Sequence, residues 1–331
     1  MILIFSVVGD FTTTKVCKWL NAWSVEFLRI NGDIHDYKFV RYNSQTNDII
    51  FSYNDSIINL KDVKAVWYRK SGLTFRHFDT NYFPKDEDFF FEEGTVLKRI
   101  VQKENSTLID YIHWNIEQKP NLGKKYNADL NKLRTITLAQ SVGLGTPETY
   151  VLTSKKQLSK LLDEKGKLIT KAIKDGLYQF NKEHAYYTYT EKVDKTSLDL
   201  YPEHFSPTLF QTMVEKAYEL RIFYFDNTFY SMAVFSQEDE KTEVDYRKSS
   251  EFSRRIPYKL PKAIQNKLKQ LMTLLDLNTG SADIIVDTDG NYHFLEINPV
   301  GQFSMVSNPC NFHLEQKVAK HLWSLTKMNT K

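Results

Sequence analysis

An α/β fold (α+β once its late hairpins are counted), built from more than one packed unit, is the class this sequence predicts. Its 331 residues exceed what one small core organises. Short apolar runs alternate with stretches of helical period through the first part, the pattern of an α/β layer. Two aromatic-rich hairpins follow late in the chain and add antiparallel sheet. At 41% the hydrophobic fraction is modest, but 22 Phe and 19 Tyr supply apolar surface for real cores.

The elements read in order as follows. Ile2–Val8 is a buried strand: "MILIFSVVGD" lacks a basic start and a cleavage site and is far too short to span a bilayer. Thr13–Ala22 is a helix, Lys64–Tyr68 a second buried strand, and Glu87–Ile112 a mostly helical stretch with a long amphipathic face. Asn115–Leu130 is polar, carries Pro and Gly, and reads as a connection. Leu130, Leu133, Ile136, Leu138 and Val142 keep helical spacing until Gly143 and Gly145 stop them, and Pro147 starts the strand Thr149–Leu152. A charged helix (Lys155–Glu164) and a strand (Lys167–Ile173) come next. Leu209–Val214 and Glu219–Gln237 are strands, the second folded at Asp226-Asn227. The helix Pro261–Leu275 opens with Pro and keeps Ile264, Leu268, Leu271 and Leu275 on one face. A last hairpin and the amphipathic helix Leu314–Leu325 close the chain. The division expected is residues 1–120, 121–215 and 216–331.

The charge balance bounds the partners. A formal net charge of +3, with both signs interspersed, argues against nucleic acid. Cys17 and Cys310 lie far apart without metal-ligand spacing and read as reduced thiols of a cytoplasmic protein. No stretch approaches membrane length, so no membrane partner is expected.

The last hairpin, "SADIIVDTDGNYHFLEINPVGQF", sets a carboxylate into each strand. With Asp289-Gly290 as a two-residue turn, Thr288 pairs with Asn291 and Asp283 falls opposite Glu296. Asn298 shares their face, while Ala282, Ile284 and Val286 face His293, Leu295 and Ile297 on the other. A bulged turn shifts this register by one residue. Like charges directly opposite on a sheet repel. Two carboxylates and an amide oxygen on rigid strands suit Mg²⁺, which commonly shares its shell with substrate phosphates. The plainer alternative leaves Asp283 solvated at a strand start and Glu296 paired with a lysine.

"SADIIVD…HFLEINPVGQF" resembles the metal-binding strands of the ATP-grasp superfamily. That resemblance implies an N-terminal α/β pre-ATP-grasp domain, a small central domain and a C-terminal domain with antiparallel sheet. It makes Asp283, Glu296 and Asn298 the ligands of two Mg²⁺ on ATP. It also implies phosphate-binding lysines at Lys132, in "NKLRTITLA", and Lys171, in "LITKAI". Lys171 interrupts an apolar strand, where an unpaired ammonium is costly; Lys132 reads equally well as a solvated lysine. The glycine-rich flap of the family is reduced to "KDGL" around Gly176. "FQTMVEKAYELR" resembles the adenine and ribose segment: Gln211, the backbone near Glu215 and Lys216 for the base, Glu219 for the ribose. Arg221 is assigned to the transferred phosphoryl group, with Arg247 as a second cation. A surface pair of Glu219 and Arg221 is the plainer reading.

"VWYRKSGL" and the closing "NPVGQFSMVSNPCNFHLEQKVAKHL" resemble the ATP-grasp peptide maturases that make graspetides, nearest those of the grasp-with-spasm systems. The resemblance implies a ligase acting on a ribosomally made precursor peptide with leader and core. A peptide side-chain carboxylate would be phosphorylated and then captured by a Ser or Thr hydroxyl, or a Lys amine. His184, Glu191 and Glu215 are base candidates by type alone, Arg69 meets an acidic peptide or solvent, and a homodimer is suggested only by analogy. Two alternatives stay open: a ligase adding free amino acids, as the ribosomal-protein glutamate ligases do, and a non-catalytic peptide-binding protein of the same shape.

Overall fold

The computed structural model describes residues 1–34, 37–54, 56–73, 96–174, 178–180, 185–187, 190–235 and 253–328. It forms two compact units, one of residues 1–128 with 313–331 and one of residues 129–312. Among the described residues no helix is long and apolar enough to cross a membrane.

In the first unit, β1 (Ile2–Ser6) is buried along its whole length, which an all-parallel sheet requires of a central strand. Asp10 caps helix α1 (Phe11–Ala22), its carboxylate accepting from the Thr12 and Thr13 amides. The chain then forms β2 (Phe27–Asn31), an antiparallel meander of β3 (Tyr37–Asn43), β4 (Asp48–Tyr53) and β5 (Ser56–Asn59), and β6 (Ala65–Tyr68). Helix α2 (Val96–Glu117) and β7 (Asn121–Leu122) follow. The parallel sheet has the order β2-β1-β6-β7. Helix α2 ends five residues beyond the expected Ile112, because nothing breaks it before Pro120 and Ile116 repeats the buried face of Ile112. The start expected at Glu87 lies outside the described residues. The C-terminal helix Leu314–Leu325 belongs to this unit, with Leu314, Val318 and Leu322 fully buried.

The second unit begins with α3 (Lys132–Ser141), capped by Asn131. Strand β8 (Thr149–Ser154), helix α4 (Lys155–Lys165), β9 (Leu168–Lys171), the pair β10 (Tyr178–Phe180) and β11 (Ala185–Tyr187), β12 (Glu191–Val193) and β13 (His204–Thr212) follow. A four-stranded sheet of order β12-β9-β13-β8 packs Leu168, Val193 and Phe210 against Leu158 and Leu162 of α4. Next come β14 (Lys216–Phe225), β15 (Thr228–Phe235), β16 (Arg254–Tyr258), α5 (Lys262–Leu274), β17 (Thr279–Asp287), β18 (Tyr292–Asn298) and the short α6 (Ser304–Ser307). These strands form an antiparallel sheet of order β16-β15-β14-β17-β18. Its Leu220, Ile222, Ala282, Ile284 and Phe294 pack against α3 and α5, leaving the alternate residues on the opposite face. Asp226 and Asn227 both have positive φ, as the tight turn between β14 and β15 demands.

The last hairpin reaches its expected pairing by another route. Thr288 does not pair with Asn291. The turn holds three residues, with the Gly290 amide donating to the Asp287 carbonyl and Gly290 at φ +84°. Val286 therefore pairs with Tyr292 and Ile284 with Phe294, one residue out of the expected register. A bulge at Leu295 restores it, so Asp283 faces Glu296 and Ser281 faces Asn298. The core side consequently carries Phe294 and Ile297, not His293 and Leu295.

Candidate functional site

The site grows from strand alternation on the five-stranded sheet. Glu219 and Arg221 of β14 pair with Ile285 and Asp283 of β17, and Asp283 pairs on its far side with Glu296. Period two then places Glu219, Arg221, Asp283, Glu296 and Asn298 on the face turned away from α3 and α5. On the four-stranded sheet, Gln211 and Lys171 share the face opposite α4, since β13 pairs Gln211 with Ile169 and Leu209 with Lys171.

Asp283 and Arg221 form a direct ion pair. Burial pushes the Asp283 carboxyl up to about 6; Arg221 pulls it down and Glu296 pushes it up. Its Oδ1 is buried without a hydrogen-bond partner. Burial also acts to raise Glu296, yet Lys171, Lys132 and Arg221 together hold it below the ordinary glutamate value. The Lys132 ammonium, projecting from the first turn of α3, lies 3.4 Å from Glu296 Oε2 and donates to the Ala172 carbonyl at 3.0 Å. Lys132 is therefore no freely solvated lysine.

Lys216 and Glu219 are both buried and pair with each other, so Glu219 is not a surface residue. Gln211 is 1% exposed; its amide nitrogen donates to Thr149 Oγ1 at 2.8 Å while its Oε1 has no partner. Glu215 lies in the turn between β13 and β14. Arg247, His184 and the "KDGL" glycine, Gly176, lie outside the described residues. Arg69 is not a solvated arginine: it is 3% exposed in the first unit, its Nε 3.4 Å from Asp10 Oδ2.

Ser281 was missed by the sequence reading. Its hydroxyl is buried, opposite Asn298, and has no hydrogen-bond partner. The available signal was its position two residues before Asp283. Three orphaned buried oxygens, on Gln211, Ser281 and Asp283, thus fall on these two sheet faces. Buried polar atoms are rarely left unsatisfied without a reason. The donor set fits a hard divalent cation: Asp283 Oδ1 is unpartnered, Glu296 faces it, and Asn298 Oδ1 accepts the Val300 amide at 3.0 Å.

A family model described as the MvdD pre-ATP grasp domain matches residues 1–80. An ATP-grasp ligase associated with a ribosomal peptide in Chryseobacterium gregarium superposes with a TM-score of 0.79 at 21% identity, covering 99% of this chain and 97% of its own. The macrocyclase MdnC of Microcystis aeruginosa superposes at 0.74 with 25% identity, covering 98% and 99%. The ATP-grasp ligase PsnB reaches 0.72 at 16% identity, covering 98% of each chain. The chain has the ATP-grasp fold. No curated protein sequence matches the chain.

Proposed function

We propose that this protein is an ATP-dependent peptide maturase, an ADP-forming ligase that joins side chains of a ribosomally made precursor peptide into rings. The observation that carries the reading is the facing pair Asp283 and Glu296, with its unpartnered Oδ1, met by Arg221, Lys132 and Lys171. Support for the nucleotide and the substrate comes from the solved relatives. One holds ADP with a leader and core peptide, another holds the precursor peptide MdnA, and a third holds Mg, ADP and a minimal precursor.

Asp283, Glu296 and Asn298 would hold Mg²⁺, two ions in our reading, which supplies charge neutralisation on the ATP phosphates. Lys132 and Lys171 add fixed cationic charge for the phosphates. Gln211 and the backbone at Glu215 and Lys216 face the base, and Glu219 accepts from the ribose hydroxyls. Arg221 steadies the phosphoryl group as it leaves ATP, and Arg247 is assigned the same duty. A carboxylate oxygen of the peptide attacks the γ-phosphorus and ADP departs. A Ser or Thr hydroxyl then attacks the acyl carbon, the C–O bond to phosphate breaks, and an ester with inorganic phosphate results; a Lys amine gives an amide. Condensation in water is uphill, and the acyl phosphate provides the leaving group. We assign the protein to the cytoplasm, where precursor and ATP are made. The nucleotide-binding stretch divides, in our reading, into a central part to residue 215 and a C-terminal part beyond it.

The test is mass spectrometry of the peptide encoded beside this gene, incubated with enzyme, ATP and Mg²⁺. Loss of one water per ring with equal ADP formed is expected, and none with Asp283→Asn combined with Glu296→Gln. ATP turnover without a change in peptide mass indicates free-amino-acid ligation instead. A peptide bound without turnover indicates a binding protein.

A further inference from the structure

The parallel sheet of the first unit carries a second polar cluster, apart from the residues assigned to the nucleotide. From β1 the chain crosses through α1 to β2 on one side, and later returns to β6 on the other side of β1. The connections therefore diverge between β1 and β6. In open parallel sheets ligands bind outside the carboxyl ends of the strands at such a divergence. The described residues there are the loop after β1, Val7–Asp10, and the segment after β6, Arg69–Leu73. The Arg69 and Lys70 amides both donate to the Phe5 carbonyl, at 3.0 Å each, which ties the two strand ends together.

The charged groups at this end have unequal calls on them. Arg69 is buried against Asp10, whose carboxylate also caps α1. Arg29 donates to Asn31, Thr14 and the Val7 carbonyl. Asp33 accepts the Val8 amide at 2.9 Å. Lys70 differs from these. It is half-buried, and among the described residues no carboxylate lies within ion-pair distance of its ammonium. Burial and then the neighbouring Arg69 charge lower its affinity for a proton, with Asp10 offsetting them in part. Arg29, Arg69 and Lys70 against Asp10 and Asp33 leave one positive charge in excess among the described residues. Beside it, the segment leaving β1 exposes Val8 at 54% and Phe11 at 78%, both large apolar side chains.

We propose that the crevice at the carboxyl ends of β1 and β6 docks an acidic segment of the peptide substrate, with Lys70 pairing a carboxylate and Val8 and Phe11 receiving an adjacent apolar side chain. The inference rests on the peptide-maturase reading for the identity of the ligand. Its chemistry, a carboxylate beside an apolar group, comes from the crevice itself. Arg69 and Asp10 act as the buried frame that holds Lys70 in place. A carboxylate of the peptide would pair with the Lys70 ammonium in a charge-assisted hydrogen bond.

The experiment measures binding of the fluorescently labelled precursor peptide to the full chain in Mg²⁺ and ADP, so no turnover is needed. Two peptides are compared, the natural one and one with each Asp and Glu changed to its amide. Lys70→Met is expected to weaken the natural peptide roughly tenfold, the size of one charge-assisted hydrogen bond. The amide peptide is expected to bind wild type and Lys70→Met alike, and Lys70→Arg to restore most of the affinity. Phe11→Ala is a second probe: it weakens both peptides equally and is independent of whether Lys70→Met folds. Unchanged affinity in Lys70→Met and Phe11→Ala overturns the docking site. So does an equal loss by Lys70→Met for both peptides. If the variants bind as wild type while wild type still makes rings, the docking site fails and the maturase reading stands. If wild type binds the peptide with the expected Lys70 dependence but makes no ring, the maturase reading fails and the docking site stands.

Discussion

Lys132 and Lys171 illustrate how two residues of one type acquire different duties from their neighbours. Lys132 already donates to the Ala172 carbonyl and lies beside Glu296, so its charge is partly committed before any nucleotide arrives. Lys171 ends β9 on the sheet face that Gln211 shares, and its charge acts on Glu296. Under the proposed function, Lys171→Met should weaken ADP binding about tenfold by calorimetry, the loss of one charged hydrogen bond. Lys132→Met should show the same loss and, in addition, release Glu296 toward higher pKa. Unchanged ADP affinity in Lys132→Met would confine that residue to its internal contacts. A residue of the first unit permits a cleaner pH argument. His113 Nε2 accepts the Leu73 amide at 3.0 Å, and burial drives its pKa down to about 3, with Lys125 adding to the effect. Its folded value lies below the ordinary value of 6.5. The stability it contributes is complete above about pH 6.5 and is lost as pH falls toward 3. Denaturant titrations should therefore show wild type losing about 1.4 kcal/mol per pH unit more than His113→Gln between about pH 6 and 4.

Elements were legible in the sequence where a breaker or a period fixed them. Asn131 and Gly143 bracket α3, and positive-φ Asp226 and Asn227 fold β14 onto β15. The last hairpin was legible in its pairing of Asp283 with Glu296 and not in its path. The pairing of Asp283 with Glu296 followed from simple counting, yet the count succeeded because two irregularities cancel. A three-residue turn at Thr288–Gly290 shifts the register, and the bulge at Leu295 shifts it back. Alternation cannot encode a bulge, since Leu295 is as apolar as Phe294 before it. Only the three-dimensional fit of Phe294 and Ile297 to the helices on that face selects it. The "NPVGQF" segment shows the same limit. A Cβ on Gly301 would stand 2.6 Å from Ser281 Cβ and Oγ, on a strand that cannot retreat. The Gly301 amide also donates to the Asn298 carbonyl at 3.1 Å. Gly301→Ala should thus weaken Mg²⁺-dependent ADP binding more than it lowers the thermal midpoint. Adding Ser281→Gly, which removes the clashing side chain, should restore most of that binding. Failure of the double variant to recover would mean that Gly301 serves the site through something other than this contact.

At the scale of the molecule, the sequence pattern does not reveal that chain order and packing order differ. The C-terminal helix follows closely on the hairpin of β17 and β18, and a linear reading extends one domain through it. Contacts assign it to the unit of β1 and α1 instead. Its Leu314, Val318, Ala319 and Leu322 are fully buried, and Trp323 stacks on Trp23 of that unit at 6.0 Å. An amphipathic period states that a helix has a buried face without naming the surface that buries it. The first unit is therefore completed by a helix distant in sequence from its sheet, and its stability depends on both segments. Truncating Leu322, fully buried, to Ala leaves a cavity that costs about 2–5 kcal/mol. The cost should fall where the side chain packs. Hydrogen exchange followed by mass spectrometry should show faster exchange in β1, β6 and α1 of Leu322→Ala, with β17 and β18 as protected as in wild type. Exchange that rises equally in both units would mean that they unfold as one cooperative block, and that the C-terminal helix stabilises the sheet of β17 and β18 as directly as it stabilises the first sheet.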